Sequence, residues 1–402
     1  MSHAHLLVTL TGASLTLYLL MMAVFAAATW WRRRRPAARV ERAPRVSILK
    51  PLAGYDDDLD ANLESFARID YPDFEVLLGV ASQSDRAFGP ACRFVARHPR
   101  LDARVVVTDP AAATNPKVAQ LASLERLATG DVYVISDSNV RVAPGYLWPL
   151  VGGLQDERVG MMTSLFAGTG ERTVGAALEN MQIGAWTTPG IAAMDGLGVA
   201  LTVGKSMAIR RRDLDRIGGF ASVGHVLAED FMLGSRFRGM GFRIRASFDV
   251  VENRNVDCSI ARTMERHSRW AKMRRSMSPG FFALEPMLQP AVVATIAFLA
   301  SPCGETAAAL AVVCVVQALC GAAAIRLLRG HALPARYVPL EILRSYAGFA
   351  CWAWAWASRR ITWRGHPFVI HSGTVITPLG AARALATDRA GSVAEAVEAP
   401  AQ

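Results

Sequence analysis

The sequence predicts an α/β domain with a mostly parallel sheet, joined to about four transmembrane or interfacial helices. Three observations carry this reading. Strand and helix patterns alternate between residues 44 and 280. A long apolar run precedes that region, and a second apolar region follows it. Apolar residues make up 52% of the 402, charged residues only 19%, and the mean hydropathy is +0.23. Such a composition excludes a disordered or acidic tail protein.

The run from Leu6 to Trp31 contains no Asp, Glu, Lys or Arg. At about 1.5 Å per residue it is long enough for a bilayer core of roughly 30 Å. Trp30 and Trp31 fall where an interfacial belt would lie, and Arg32 to Arg35 follow. By the positive-inside rule, the chain beyond Arg35 is expected in the cytoplasm. Residues 1–35 therefore read as an anchor. A signal peptide fits less well, because the run exceeds the usual ~7–15 apolar residues and lacks a basic start.

Residues 44–280 read as a soluble domain. Val46-Ser47-Ile48-Leu49 is a short strand ending at Lys50-Pro51, and Asp56 to Asp58 offer a helix cap before Leu59, Leu63 and Phe66. Further strands are expected at 74–80, 104–107 and 131–136, with a helix over 115–127. In such sheets the site lies beyond the carboxyl ends of the strands. The polar residues there are Lys50, Asp85, Asn115, Lys117 and Asp137.

The C-terminal third predicts spans at 287–302, 306–325 and 337–357, so residues 281–360 form a membrane region. Arg326 and Arg329 favour the cytoplasm, as do Arg359 and Arg360. Both pairs cannot lie there if 337–357 crosses fully, so one segment is expected to be re-entrant or interfacial. Residues 361–402 read as a tail, disordered from about Ala381.

The net charge of +10 is concentrated in two places. Residues 31–45 hold seven Arg against one Glu, and residues 260–275 hold five Arg and one Lys against one Glu. Charge confined to juxtamembrane segments, without interleaved aromatics, argues against nucleic-acid binding. Spans without mid-membrane charge argue against a pump. Six scattered cysteines exclude a disulfide framework or zinc site, and no Gly-rich dinucleotide or P-loop motif is present.

Asp137, in Asp137-Ser138-Asn139, follows the strongest strand. Its carboxylate can hold a divalent cation that bridges a diphosphate, or it can simply cap the next turn. Glu229-Asp230 opens an apolar helix-like run, where acids also suit the helix dipole. Arg266 and Arg269 share a helical face and could neutralise a diphosphate. Trp270 could stack on a sugar or line a lipid entrance. The same basic stretch, with Lys272, Arg274 and Arg275, could instead bind anionic headgroups.

These motifs occur in an order that resembles the ceramide glucosyltransferase family. The resemblance runs through Val46 to Leu52, Asn62 to Phe66, Asp70-Tyr71-Pro72, residues 74–78, Asn115-Pro116-Lys117, Asp137-Ser138-Asn139, Ala228-Glu229-Asp230-Phe231, and Arg266, Arg269 and Trp270. It implies a GT-A type nucleotide-diphospho-sugar fold and inverting transfer of glucose from UDP-glucose to the primary hydroxyl of ceramide. Under it, Lys50, Pro51, Asp85, Asn115 and Lys117 hold the donor. Asp137 holds Mg²⁺ or Mn²⁺, Asp230 is the base, Arg266 and Arg269 support the leaving group, and Trp270 shapes the acceptor pocket. It also implies an integral protein of a bacterial inner membrane, with its partners a UDP-sugar, a membrane lipid and the bilayer. Two departures stand out. Residues 81–85 keep a single acid, Asp85, and the second motif is Asp-Ser-Asn rather than Asp-x-Asp. The alternatives are transfer of another sugar, such as N-acetylglucosamine, to a hopanoid, and a non-catalytic lipid-binding scaffold.

Overall fold

The computed structural model describes residues 3–34, 40, 42–363 and 365–380. Eight strands form its main sheet: β1 (Val46–Pro51), β2 (Phe74–Val80), β3 (Asp102–Val107), β4 (Val132–Ser136), β5 (Val140–Arg141), β6 (Val159–Thr169), β7 (Ser206–Arg210) and β8 (Arg243–Arg254). Their order is β3-β2-β1-β4-β7-β6-β8-β5. The first four run parallel, as do β6 and β8, while β7 pairs antiparallel with both β4 and β6. The mostly parallel sheet read from the alternating pattern is thus observed. β1 and β4 are buried along their whole length, as strands covered on both faces must be.

One antiparallel pairing positions the site. β7 lies against β4 with Ser206 opposite Ser136. The start of β7 therefore meets the end of β4, and Lys205 arrives beside Asp137. The Asp137 N–H donates to the Lys205 carbonyl at 3.2 Å.

Two apolar layers cover the sheet. One gathers Ile48, Val76 and Val134 with Tyr18, Met22 and Phe25 of the N-terminal helix. The other gathers Leu49, Leu77 and Ile135 with Val118 and Leu121 of the helix Pro116–Glu125. The N-terminal helix His3–Arg33 thus shares a core with the domain. Arg32 pairs with buried Asp195 at 2.9 Å, and a methyl group on Gly196 would stand 3.1 Å from Ala28.

Two of the four expected membrane helices are long and apolar enough to cross a bilayer: His3–Arg33 and Gly304–Arg329. They run side by side in the same direction. His5 lies 3.4 Å from Glu305 near their starts, and Arg33 donates to the Leu327 carbonyl near their ends. The expected span at 287–302 is bent: the segment Pro279–Leu288 and the 11-residue helix Pro290–Ala300 meet at 74°, together apolar enough for one broken span or a re-entrant loop, and the helix needs that partner. Alone it rises about 16 Å, too little to cross. Helix Leu340–Ala357 is not among the spans, because it carries Glu341 and Arg344.

That pair is buried. Arg344 makes two hydrogen bonds to Glu341, at 2.7 and 2.9 Å, and a third to Gln182 at 2.8 Å; Gln317 donates to Glu341 at 3.2 Å. Residues 360–378, read as tail, instead form a second sheet: β9 (Arg360–Trp363), β10 (His366–Ile370) and β11 (Ile376–Pro378). The stretch expected to be disordered, from Ala381, lies outside the described residues.

Arg344→Met should destabilise the protein strongly, by about 3–5 kcal/mol, because it leaves the Glu341 carboxylate buried without its cation. The double variant Glu341→Met/Arg344→Met should recover much of the loss. Thermal denaturation in detergent reads both, and a wild-type midpoint for Arg344→Met would show that the pair does not hold the helices together.

Candidate functional site

At the ends of β4 and β7, one ammonium group joins three motifs. Asn115 caps the helix Pro116–Glu125, its side chain accepting from the N–H groups of Lys117 and Val118. This cap directs Lys117 into the sheet end. Its Nζ pairs with Asp137 at 2.8 Å and Glu229 at 2.8 Å, and donates to the Gly204 carbonyl at 3.1 Å. Lys205 takes the other Asp137 oxygen at 3.0 Å and donates to Asn139 at 3.1 Å. Asp230, beside Glu229, accepts the Gly204 N–H at 2.6 Å. The crowding requires glycine at position 204. A Cβ there would stand 2.9 Å from the Lys117 ammonium and 3.2 Å from Asp230.

Electrostatics separates these acids. Burial opposes ionisation of Asp137, but Lys117 and Lys205 outweigh it and hold its carboxyl well below the usual range. Burial likewise works against the Lys117 cation, and Asp137 with Glu229 more than offsets this, raising its pKa. Asp230 behaves oppositely. Burial first, then the Glu229 charge, push its carboxyl up to about 6 despite Lys117. One acid is kept ionised while its neighbour is tuned toward neutral pH, a pattern suited to proton transfer.

Among the donor-site residues inferred from sequence, the structure brings Lys117 and Asp137 together with Asp230. Three others play supporting parts. Lys50 is fully buried with Pro51, so neither presents a side chain to a ligand; the Lys50 ammonium donates to the Asp137 carbonyl at 2.6 Å, and burial lowers its pKa to about 7. Asn115 is also sealed in, and its amide donates to the Val226 carbonyl at 2.7 Å, fixing the loop before Glu229. Asp85 accepts the Gly54 and Ala87 N–H groups at 2.8 Å each and so holds the loop after β1.

The basic helix Ile260–Met277 divides its residues between two places. Arg266 lines a small cleft with Asn139, Asp56 and Arg254, and pairs with buried Glu179 at 2.8 Å. Arg269 instead donates to the Thr362 carbonyl on β9 at 3.3 Å and lines a separate cavity. The expected convergence of both arginines on one leaving group does not occur. Trp270 packs edge-on against His267, which also reaches Glu179 at 2.9 Å.

Sequence reasoning missed several members. Glu179 was invisible because it lies inside an apolar helix, Val174–Met181. Lys205, by contrast, is legible: in Val203-Gly204-Lys205-Ser206 the sequence offers it as a lysine that could meet a phosphate. Thr374 lies in the supposed tail. It is fully buried with φ of 61°, an uncommon backbone for a β-branched residue. Its carbonyl accepts the Leu227 N–H at 2.8 Å, and its hydroxyl accepts the Ala228 N–H at 3.3 Å. The second sheet thus braces the loop that presents Glu229 and Asp230.

Among the described residues no group of three or more His, Cys, Asp or Glu comes together that could hold a metal ion. Asp137 supplies one hard, ionised oxygen donor. That fits an ion such as Mg²⁺, which takes one or two carboxylates and fills its remaining positions with phosphate oxygens and water.

The fold and site define a membrane-associated α/β transferase with acids and ammonium groups gathered at its strand ends. The sequence matches glycosyl transferase family 21 over residues 14–376, and the chain belongs to that family. Its mostly parallel α/β domain agrees with the fold class read from the sequence. Among curated proteins it is similar to ceramide glucosyltransferase 1 of Caenorhabditis elegans, with 27% identity over 245 residues, or 61% of this chain and 53% of that protein. A ceramide glucosyltransferase of Komagataella phaffii is 36% identical over 106 residues, or 25% of this chain and 21% of that one. The chain spans about half the length of the first of these relatives. Among solved structures, a mannosyltransferase of Pyrobaculum calidifontis in complex with GDP-Man and Mn²⁺ is 21% identical, with a TM-score of 0.48, covering 87% of this chain and 99% of that one.

Lys117→Met removes the cation shared by Asp137 and Glu229. The Asp137 carboxyl should then be held less far below its usual range, so part of the stability that its ionised form contributes above that range is lost. The variant should lose more of its thermal midpoint relative to wild type at pH 7 than at about pH 3, below the ordinary carboxyl range; an equal loss at both would mean that Lys117 does not hold Asp137 ionised.

Proposed function

We propose that this protein transfers glucose from UDP-glucose to the primary hydroxyl of ceramide, with inversion, at a membrane surface. The observation that carries the reading is the contrast between Asp230, with a pKa raised to about 6, and Asp137, held ionised by two lysines a short distance away. The acceptor and the sugar follow the curated relatives, which are ceramide glucosyltransferases by name, and the UDP carrier follows the sequence resemblance.

In this reading Asp230 takes the proton from the lipid hydroxyl. The freed oxygen forms the new bond to the anomeric carbon from the face opposite UDP. The old carbon–oxygen bond breaks, and its electrons leave with the diphosphate. Lys117 and Lys205 are the nearest cations, and each can exchange a carboxylate partner for a diphosphate oxygen. Arg266 adds charge from the neighbouring cleft. Lys50 and Asn115 keep Asp137 and the Glu229 loop in register. Mg²⁺ or Mn²⁺ held by Asp137 would supply Lewis-acid charge to the departing diphosphate. A single base suffices, because UDP leaves without needing a proton.

The bilayer belongs to the same proposal. A two-tailed acceptor leaves the membrane at a cost of about 0.8 kcal/mol per CH₂, so the site must come to it. The parallel helices His3–Arg33 and Gly304–Arg329 both end in arginines on the domain side. That supports a cytoplasmic catalytic domain by the positive-inside rule; the membrane is read as a bacterial inner membrane.

The test is transfer of radiolabel by purified protein. UDP-glucose, UDP-galactose and UDP-N-acetylglucosamine are each offered with ceramide or a hopanoid polyol, with Mg²⁺ or Mn²⁺. Labelled ceramide from UDP-glucose supports the proposal; label only on the hopanoid replaces the acceptor, and no transfer at all removes the reading. Asp230→Asn should abolish turnover while UDP-sugar binding survives. For the wild type, the base must be ionised, so turnover should rise with pH up to about 6 and level above it. Below that inflection it should fall by about tenfold per pH unit. Glu229→Gln removes a charge that raises the Asp230 pKa, so the inflection should move to lower pH.

A further inference from the structure

Between the basic helix Ile260–Met277, the helix Leu340–Ala357 and β9 lies a cavity of about 460 Å³. It is separate from the cleft that holds Arg266 and Asn139. We propose that this cavity binds the phosphate of an anionic phospholipid. The inference does not rest on the sugar-transfer reading.

Four charged side chains line the cavity: Arg269, Lys272, Arg360 and Glu265. Three cations thus face one carboxylate. Lys272 is the most telling. It is only 5% exposed, yet its ammonium donates to a carbonyl, that of Arg360 at 2.6 Å, and not to an acid. Burial works against its charge, and the titratable neighbours bearing on it are the Cys351 thiol, kept neutral by its own burial, and Arg275, which is itself a cation. A buried ammonium without a counter-anion is costly, and an incoming phosphate would relieve that cost. Its three donors can satisfy the carbonyl and still leave N–H groups for phosphate oxygens.

The surroundings point to a lipid as the source of that phosphate. Trp354 lines the cavity and stands 5.8 Å from the Lys272 ammonium, with 57% of its surface exposed. Two residues on, Trp356 is 43% exposed beneath Arg275. Exposed indoles next to cations are typical of the headgroup level of a bilayer. The basic helix also runs directly into the bent apolar pair Pro279–Leu288 and Pro290–Ala300. A headgroup can therefore enter the cavity while its acyl chains lie along apolar helix surface.

Native mass spectrometry of the full chain, released from nanodiscs of phosphatidylcholine with phosphatidylglycerol, tests this. Wild-type protein should retain one phosphatidylglycerol in preference to phosphatidylcholine. Lys272→Met should lower that retention about tenfold, the equivalent of ~1.4 kcal/mol, and Lys272→Arg should restore it. Glycerol 1-phosphate at millimolar concentration should not displace the lipid. Unchanged retention in Lys272→Met overturns the site, and ready displacement by glycerol phosphate overturns the lipid source. Should Lys272→Met fail to fold, crosslinking of wild-type protein by phosphatidylglycerol with a headgroup photoprobe decides. Label in residues 264–272 or 350–362 supports the proposal, and label confined to the end of the first helix near Arg32 overturns it.

Discussion

The Lys117 ammonium is the interaction on which the rest of the site depends. It arrives from the first turn of one helix, bridges an acid at the end of β4 to an acid opening another helix, and touches the backbone at Gly204. Three segments far apart in sequence meet on one charge. Removing water from such a cluster is costly for every member. It persists because each charge is paired and each remaining donor finds a carbonyl or amide. The same arrangement leaves Asp230 beside an ionised glutamate and without an ammonium of its own. That asymmetry pushes the Asp230 carboxyl up to about 6 while Asp137 stays well below the usual range.

Around this centre the supporting residues are mostly buried polar groups that hold a neighbour in place. Lys50 holds the backbone of Asp137, Asn115 holds the loop at Val226, Asp85 holds the turn at Gly54, and Glu179 holds Arg266 and His267. These contacts fix orientation in a region where low dielectric strengthens each bond and penalises any loss.

The parallel half of the sheet was legible in the sequence because its strands are continuous apolar runs bounded by turns, as Val46–Leu49 and Val132–Ser136 show. The antiparallel half was not. β6 contains glycine and threonine among its buried residues, and β7 is short and flanked by charge, so neither carries a clear period. Asp137, Lys117 and Asp230 were recoverable because each stands at the end of a recognisable element. Their mutual contact was not, since a pairing such as Ser136 with Ser206 follows from tertiary register. Lys50 shows the reverse error: a lysine at a strand end reads as a ligand, and only burial reveals it as a support. Composition alone did not separate the two long apolar helices from the bent pair and from the helix Leu340–Ala357. Alanine-, tryptophan- and cysteine-rich stretches look alike in hydropathy whether they cross lipid or pack beside a buried Glu341–Arg344 pair.

The brace supplied by Thr374 bears on when the protein becomes competent during its own synthesis. Ala228 and Thr374 are 146 residues apart, and the helices Pro290–Ala300, Gly304–Arg329 and Leu340–Ala357 lie between them. The main sheet can therefore emerge from the ribosome and fold while the Glu229 loop still lacks its clasp. Only after those three helices have been synthesised does β11 become available to close against that loop. Order of translation thus makes completion of the site a late event of synthesis, and a nascent chain that has not yet reached Thr374 carries its acids unbraced.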